Sequence, residues 1–226
     1  MRILVVAATV AEIGPLLDGV GLTHAAAPAV AGGRRGAHTI DALATGVGML
    51  ATGTWCGRTL AQQSYDLAIN LGVCGSFDPE LPPGSLVHVV VDRVPELGAE
   101  DGDSFLTIHD LQLLDEDEFP YAGGNLVNES PIENPMLATL PEVTAITVNT
   151  AHGHEPTIDR VRSRFAPQVE SMEGAAFMYA CLVSGTPFVQ VRAVSNMVER
   201  RNRAAWKLAD AVRSLGDFSL AFLDSL

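Results

Sequence analysis

The sequence predicts an α/β protein whose central sheet carries helices on both faces. Two observations lead to this prediction. Short apolar runs rich in β-branched residues alternate along the chain with segments whose apolar residues have helical spacing. Each apolar run also ends in glycine or in small polar residues, a pattern typical of strands in a buried α/β sheet. Because no internal repeat or linker divides the 226 residues, we expect one domain spanning residues 1–226.

The first part of the chain alternates predicted strands with predicted helices. Ile3–Ala8 is an unbroken apolar run that predicts a strand buried on both faces, and Val10–Leu17 predicts the first helix. The elements expected next are a strand, a helix and two further strands: Thr39–Ala44, Met49–Gln62, Leu67–Leu71 and Leu86–Val91. Gly72–Ser76 follows a buried strand directly, so we expect a tight turn there or a loop that approaches a ligand.

The second part begins with a long irregular stretch. Asp92–Pro135 is rich in acidic residues, glycine and proline, and it is predicted to be loop-like. The elements expected after it are a strand, a helix, a strand and a closing amphipathic helix: Val143–Val148, Glu173–Val183, Phe188–Val194 and Ala204–Leu223. In such sheets ligands bind beyond the carboxyl ends of the strands. The polar residues that follow the apolar runs are therefore the candidates for a site.

The charge of the chain argues against several classes of partner. Its 14 basic residues oppose 27 acidic ones, for a formal net charge of −13. A protein this acidic is repelled by a nucleic-acid backbone and by an anionic membrane surface, so neither is expected as a partner. The acidity is concentrated, because Asp92–Glu118 holds ten acidic residues against one arginine, Arg93.

The sequence predicts no metal site, no cofactor and no membrane span. Cysteines and histidines lack metal-ligand spacing; they are Cys56, Cys74 and Cys181, and His24, His38, His88, His109, His152 and His154. Cys74 and Cys181 lie in apolar contexts typical of small buried side chains. The N-terminal apolar run is too short for a signal peptide and is followed by Glu12, and no window of about 18 apolar residues exists. We therefore predict a cytoplasmic protein.

Two glutamates lie at the beginnings of predicted helices. Glu12 is one turn into the first helix, near the carboxyl end of the first strand, and Glu173 follows Met172 at the start of a later helix. Each carboxylate has two interpretations. It is either a solvated charge favoured by the helix dipole or an acceptor that serves a bound ligand.

Further candidates follow the later strands. Gly75 and Ser76 lie in a stretch without the pattern of a phosphate-binding loop or a dinucleotide fingerprint, which disfavours nucleoside triphosphates and NAD. Ser195 and Asn196 follow the last predicted strand and form either an ordinary Ser or Asx turn or part of a site. The basic cluster after them is either solvated or an anion-binding patch; its members are Arg200, Arg201 and Arg203.

Four segments occur in an order that carries a family resemblance. They are MRILVVAATVAEIGPLL at the N-terminus, NLGVCGS at Asn70–Ser76, VESMEGAA at Val169–Ala176 and PFVQVRAVSN at Pro187–Asn196. The sequence resembles the nucleoside phosphorylase and methylthioadenosine/adenosylhomocysteine nucleosidase family from about residue 1 to residue 222, with the acidic middle poorly matched. The resemblance implies a single three-layer domain with a twisted, mixed central sheet flanked by helices. It also implies a homo-oligomer (dimer or tetramer), a purine nucleoside as substrate and no cofactor.

The resemblance implies roles for the candidate residues. Glu12 matches the family's catalytic glutamate, which activates the attacking water, and Met172 and Glu173 match the pair that contacts the ribose. Asn196 matches the position that contacts N7 and the exocyclic group of the purine. The other residues expected beside the base are Gly75, Ser76 and Ser195.

Asn196 is the main departure from the adenine-specific members of the family, which have aspartate there. Its amide NH2 can donate to the acceptors of a 6-oxopurine, whereas a carboxyl suits the amino group of a 6-aminopurine. An asparagine cannot, however, transfer a proton to the departing base. Without that general acid, the reaction is expected to lose about 10²–10⁴-fold in rate. A less basic oxopurine leaving group offsets part of this loss.

Within the family, Ser171–Phe177 and Val191–Trp206 are most similar to the futalosine hydrolases of the menaquinone pathway, whose substrate carries hypoxanthine. This resemblance implies an N-ribosyl hydrolase that cleaves futalosine to hypoxanthine and dehypoxanthine futalosine. The Arg200–Arg203 cluster is the candidate for binding the benzoate group of that substrate.

Three alternatives stay open at the level of sequence: a 6-oxopurine nucleoside phosphorylase, a methylthioadenosine/adenosylhomocysteine nucleosidase and a non-catalytic nucleoside-binding module. Phosphorylases of the family use arginines near the glycine loops to bind phosphate. Thr9–Gly14 and Gly46–Thr52 contain no arginine, and Arg58 is the nearest one, further along the helix. This pattern favours hydrolysis over phosphorolysis.

Overall fold

The computed structural model describes residues 1–22, 30–129 and 132–226, with nothing described of the side chains of residues 30 and 31. The described helices are α1 (Val10–Gly19), α2 (Met49–Gln62), α3 (Glu155–Phe165), α4 (Gly174–Ser184) and α5 (Leu208–Asp224). The strands are β1 (Arg2–Ala7), β2 (Val30–Arg35), β3 (His38–Ala44), β4 (Leu67–Ser76), β5 (Leu86–Asp92), β6 (Gly98–Asp101), β7 (Ser104–Thr107), β8 (Leu126–Val127), β9 (Glu142–Thr147), β10 (Val169–Ser171) and β11 (Phe188–Met197).

One mixed sheet dominates the fold, in the order β10-β9-β5-β11-β4-β1-β3-β2, with β8 paired to β5. Its centre is parallel, since β1 pairs in parallel with both β3 and β4, and β4 pairs in parallel with β11. The strand β10 pairs with β9 and also, antiparallel, with β4. Five strands, β4, β11, β5, β9 and β10, therefore close into a ring, and the loops that follow several of them meet at one rim.

Helices cover both faces of the sheet. Alternate residues of β1 point to opposite sides, so Ile3 and Val5 pack with α1 and α5, whereas Leu4 and Val6 pack with α2 and α4. All four side chains are fully buried, as the unbroken apolar run of β1 predicts. These three layers confirm the predicted α/β fold class.

The strands β4 and β11 are longer than predicted. Gly72–Ser76 is part of β4, not a turn or a loop, and it remains paired with β11. Ser195 and Asn196 likewise lie inside β11, at a bulge between Val194 and Asn196 where the register with β4 shifts. The bulge redirects the strand at its carboxyl end, as bulges next to functional sites commonly do.

Several short or polar elements were not predicted. The strands β2 and β10 and helix α3 have too few apolar residues to give a clear period; in α3 only Ile158 and Val161 are buried. The predicted loop Asp92–Pro135 contains a hairpin, β6–β7, and the short strand β8. The last helix begins at Leu208, not at Ala204, because a 3₁₀ turn at Arg203–Ala205 leads into an extended Trp206.

The remaining general predictions have mixed outcomes. All three cysteines are free and buried, which confirms the prediction for Cys74 and Cys181. In the described part of the chain no helix is long and apolar enough to cross a membrane. Within the same residues no group of three or more metal-ligating side chains clusters, and His24 lies outside them. The domain boundaries remain a prediction.

Candidate active site

A cavity of about 450 Å³ lies at the carboxyl ends of β1, β4 and β11. It is lined by the beginnings of α1, α4 and α5, by the end of β11 and by the loop between β9 and α3. Seven of the predicted site residues line it: Glu12, Gly75, Met172, Glu173, Ser195, Asn196 and Arg201. Residues from five separate parts of the chain therefore converge on one space.

Three predicted site residues do not line this cavity. The Ser76 side chain is fully buried, and its Oγ donates to the Asp78 carbonyl (2.9 Å) and accepts from the Asp78 amide (3.1 Å). It stabilises the turn after β4 instead of facing the cavity. Arg200, Arg201 and Arg203 are all exposed to solvent, and Arg201 is the cluster member that lines the cavity.

Backbone and hydroxyl donors hold Glu12 in place. Its Oε2 accepts from the amide and the hydroxyl of Thr9, both at 2.9 Å, in a capping box at the start of α1. Its Oε1 accepts from the Val73 amide at 3.2 Å. Thr9 and Glu12 have the spacing of a capping box, a signal that was readable in the sequence.

Glu173 is the N-cap residue of α4 and is almost fully buried, with 5% of its surface exposed. Its Oε1 accepts from the Gly48 amide at the start of α2, at 2.9 Å. Burial raises the pKa of Glu173, and the nearby charge of Glu12 raises it further, while Arg192 and the Gly48 amide oppose the shift. The carboxyl group is thus anchored by backbone hydrogen bonds from Gly48 and Met172, and as an acceptor that lines the cavity it can serve a diol.

Arg192 lies beside the two glutamates, and the sequence analysis did not select it as a site residue. It is 1% exposed in β11, its Nη2 donates to Asn70 Oδ1, and its Nε has no hydrogen-bond partner. A Cβ on Gly72 would overlap Arg192 Nη1 and would lie 3.2 Å from Glu12 Oε1. Glycine at position 72 therefore leaves room for the Glu12 carboxylate and the Arg192 guanidinium to share one space. The sequence offered one signal for Arg192, namely that it is a charged residue within an otherwise mostly apolar strand.

Asn196 and its neighbours form a separate, uncharged end. The Ser195 hydroxyl lies 2.8 Å from Asn196 Oδ1 and 3.1 Å from the Cys74 carbonyl, and Asn196 Nδ2 donates to the Met197 carbonyl at 2.9 Å. The amide orientation is assigned from these hydrogen bonds. Because Nδ2 carries two hydrogens, one remains for a ligand in the cavity.

Next to this end lies a pair that the sequence analysis did not identify. The backbone N–H of His152 donates to Glu170 Oε1 (3.0 Å), and its ring Nδ1 lies 2.7 Å from Glu170 Oε2. Both residues line the cavity, and Glu170 is 6% exposed. The two positions are 18 residues apart in the chain, and the parallel pairing of β9 with β10 brings them together.

The third part of the cavity is mostly apolar. Leu208 and Val212 of α5 line it together with Ala8 and Ala11. Trp206, extended before α5, also lines it, and the Arg201 guanidinium lies 5.2 Å from the centre of the Trp206 ring. This arrangement places one cation beside an aromatic wall.

Comparison with known proteins agrees with the geometry. The family model of the phosphorylase superfamily matches residues 2–224. The chain is 33% identical to a futalosine hydrolase of Streptomyces coelicolor, over 79% of each chain, and 30% identical to one of Acidothermus cellulolyticus, over 94% of this chain and 86% of the relative. The solved structure of futalosine hydrolase from Helicobacter pylori superposes with a TM-score of 0.82 at 15% identity, covering 100% of this chain and 98% of that one. The chain therefore belongs to the phosphorylase superfamily and, within it, to the futalosine hydrolase family.

Proposed function

We propose that this protein hydrolyses the N-ribosyl bond of futalosine and releases hypoxanthine and dehypoxanthine futalosine, as a step of menaquinone biosynthesis. The observation that carries the proposal is the convergence of Glu12, Glu173 and Asn196 on one cavity of about 450 Å³. Curated relatives that are 30% identical or more are futalosine hydrolases, which supports this choice of substrate.

The charged end of the cavity suits the reacting sugar. Bond breaking leaves positive charge on the ribose, which two nearby carboxylates stabilise. Glu12 orients the attacking water and takes its proton, while Glu173, with Met172 beside it, holds the ribose hydroxyls. The buried guanidinium of Arg192 balances the two carboxylates.

The same end suits water better than phosphate. Among the described residues that line the cavity, Arg201 alone has a guanidinium or ammonium group, and it packs on Trp206. The Gly48 amide lies at the start of α2, where a backbone N–H can donate a hydrogen bond to an anion, but it already donates to Glu173. A phosphate dianion beside the ribose would face the carboxylates of Glu12 and Glu173, which already take up the charge of Arg192.

The uncharged end suits a 6-oxopurine. Hypoxanthine presents acceptors at O6 and N7, and the free N–H of Asn196 Nδ2 can donate to that edge. Gly75 supplies a position without a side chain beside it, since a Cβ there would lie 3.4 Å from Asn196 Nδ2. Ser195 fixes the amide and also lines the cavity.

The apolar end suits the extension of futalosine. Trp206, Leu208 and Val212 offer a surface for its aromatic ring, and Arg201 offers a cation for its carboxylate. Arg200 and Arg203 belong to the same predicted basic cluster, but they are exposed and do not line the cavity, so their positive charge acts on the substrate only from a distance. Arg201 is therefore the residue that we propose for the benzoate.

A product assay tests the proposed function. Purified protein is incubated with futalosine, aminofutalosine, inosine or methylthioadenosine, with and without phosphate, and the products are separated chromatographically. We expect hypoxanthine and dehypoxanthine futalosine from futalosine at a rate that phosphate does not change. A phosphorylated sugar product would instead identify a phosphorylase, preferred cleavage of methylthioadenosine would identify the adenine-specific nucleosidase, and binding without cleavage would identify a non-catalytic module.

Two further predictions concern the assembly and the compartment. A homo-oligomer is supported by exposed apolar side chains on neighbouring helices, with Val47 and Leu50 at the start of α2 and Tyr179 and Val183 on α4. Val47 also lines the cavity, so a second subunit packed on these helices would lie close to the bound substrate. A cytoplasmic location remains a prediction from sequence.

A further inference from the structure

The His152–Glu170 pair has no role in the mechanism described so far. Both carboxylate oxygens of Glu170 contact one residue, since the His152 amide occupies Oε1 at 3.0 Å and the ring Nδ1 occupies Oε2 at 2.7 Å. The hydrogen bonds of His152 in the structure use its backbone N and Nδ1, which leaves Nε2 for a ligand. Because Glu170 is almost fully buried and both of its oxygens bind His152, the pair is not an ordinary ion pair of the protein surface.

The pair lies at the base end of the cavity. The position that a Cβ would occupy on Gly75 is 3.4 Å from Asn196 Nδ2 and 3.6 Å from Glu170 Cγ. A Cβ on Gly153 would similarly lie 3.8 Å from the Glu199 carbonyl and 3.9 Å from the Arg201 amide. The loop that carries His152 is therefore packed against the chain that follows Asn196, and both border the space proposed for the purine.

The proposed reaction needs a proton at this end. When the bond between C1′ and N9 breaks, its electron pair moves onto the purine. Protonation of the purine increases the rate of this step by about 10²–10⁴-fold. The Asn196 amide can donate a hydrogen bond but cannot give up a proton. An imidazole whose Nδ1–H is held by a carboxylate is stabilised in its protonated form and then carries a second proton on Nε2.

We propose that His152 is the general acid of the reaction and that Glu170 is its positioning residue; this proposal rests on the proposed function. The C1′–N9 bond breaks, and its electron pair goes to the purine, which takes the Nε2 proton of His152. Water forms a bond to C1′ and transfers a proton to Glu12. Exchange of that proton with solvent and reprotonation of His152 restore the enzyme, so the net reaction consumes one water.

Charged groups from several elements surround His152. Glu170 contacts His152, and four further acidic residues line the two cavities that His152 also lines, from the chain after β11 and from the region of the β6–β7 hairpin: Glu199, Glu96, Glu100 and Asp103. Three arginines also line these cavities, from α3 and from the chain after β11: Arg160, Arg164 and Arg201. The thiol of Cys74 also lines the cavity, and burial raises its pKa to about 12, so it stays neutral.

Kinetics over a range of pH test the proposal with His152→Gln, Glu170→Gln and the control His154→Gln, whose side chain is exposed two positions away. Because the acid must be protonated, kcat/KM of the wild type for futalosine should fall as the pH rises, giving a basic limb. His152→Gln should lose that limb together with about 10²–10⁴-fold of kcat/KM at neutral pH. Glu170→Gln should move the limb about 1–2 pH units lower, and His154→Gln should match the wild type.

Circular dichroism and thermal unfolding check that the variants fold. His152→Gln that folds and stays within tenfold of wild type would overturn the acid role, as would Glu170→Gln that slows the reaction equally at every pH. If His152→Gln does not fold, the pH shift in Glu170→Gln decides alone. A wild-type protein that leaves futalosine intact overturns the proposed function and the acid role together, so the two failures are distinguishable.

Discussion

The two polar ends of the cavity are built in different ways. At the ribose end, backbone N–H groups from distant parts of the chain help to hold both carboxylates, with Val73 serving Glu12, which Thr9 also binds, and Gly48 serving Glu173. At the base end, side chains are held mostly by partners of their own loop or strand, as Asn196 is by Ser195 and Met197. Backbone anchors of the sheet and helices move little, whereas a side-chain pair changes with a single substitution.

This difference matches the tasks of the two ends. Groups that stabilise a charged transition state gain most from being fixed before the reaction begins. Groups that select a base gain from being easily exchanged, because one polar contact decides between an oxo and an amino group. We therefore expect substitutions of Glu12 and Glu173 to abolish the rate and those of Asn196 to alter the choice of substrate.

Glu12→Gln should have the largest effect. The amide keeps the shape but cannot accept a proton, and its NH2 group would face the donors of either Thr9 or Val73. We expect kcat/KM for futalosine to fall by about 10³-fold or more, while hypoxanthine affinity changes little. Steady-state kinetics and calorimetry measure the two quantities. Glu80→Gln, an exposed control, should retain wild-type activity.

A Glu12→Gln variant within tenfold of wild type would mean that the ribose end does not supply the base. The contrast between the two ends would then be wrong in its main point, since the anchored carboxylate would be a structural cap of α1.

Asn196→Asp should have a smaller effect than Glu12→Gln, and it should act on selectivity. A carboxylate would face the O6 and N7 acceptors of hypoxanthine, and its second oxygen would face the Met197 carbonyl that Nδ2 now serves. The ratio of kcat/KM for futalosine to that for aminofutalosine should fall by about 10–100-fold, which corresponds to about 1–3 kcal/mol for one mispaired polar group. Competition between the two substrates in one tube measures this ratio independently of the active fraction. An unchanged ratio would contradict the assignment of Asn196 to the base.

The sequence predicted the regular part of the fold better than the site. Met49–Gln62 was predicted with the observed bounds, because its apolar residues are periodic and Gly48 precedes it. Glu12, Glu173 and Asn196 were located through the family resemblance, since their local patterns alone fit ordinary caps and turns. The burial of Arg192 and the pairing of His152 with Glu170 depend on the ring of strands. The spacing of apolar residues along the sequence does not reveal such long-range contacts.

The smallest expected effect concerns the support behind the ribose end. Asp92 is fully buried, and it accepts from Gln190 Nε2 (3.1 Å), from the Arg93 amide (2.8 Å) and from Thr147 Oγ1 (2.9 Å). The same Thr147 hydroxyl accepts from the Ala175 amide at 2.7 Å, so the network reaches the first turn of α4, directly behind Glu173. Burial raises the pKa of Asp92 to about 6, although its hydrogen bonds and Arg192 oppose the shift.

Because this pKa is higher in the folded state than the ordinary value of 3.8, ionisation of Asp92 favours the unfolded chain. Its contribution to stability is present below pH 3.8 and is lost as the pH rises to about 6. Asp92→Asn removes that loss, and its NH2 group can meet Gln190 Oε1, which now lacks a partner. The variant's free energy of unfolding should therefore gain on the wild type between pH 4 and pH 6, by at most about 3 kcal/mol, and level off above. Urea unfolding at several pH values measures this difference, and Asp159→Asn on the exposed side of α3 is the control. If the difference in free energy of unfolding between variant and wild type did not depend on pH, Asp92 would already be ionised at pH 4. The carboxylates of the ribose end would then be supported by a buried network that is itself charged.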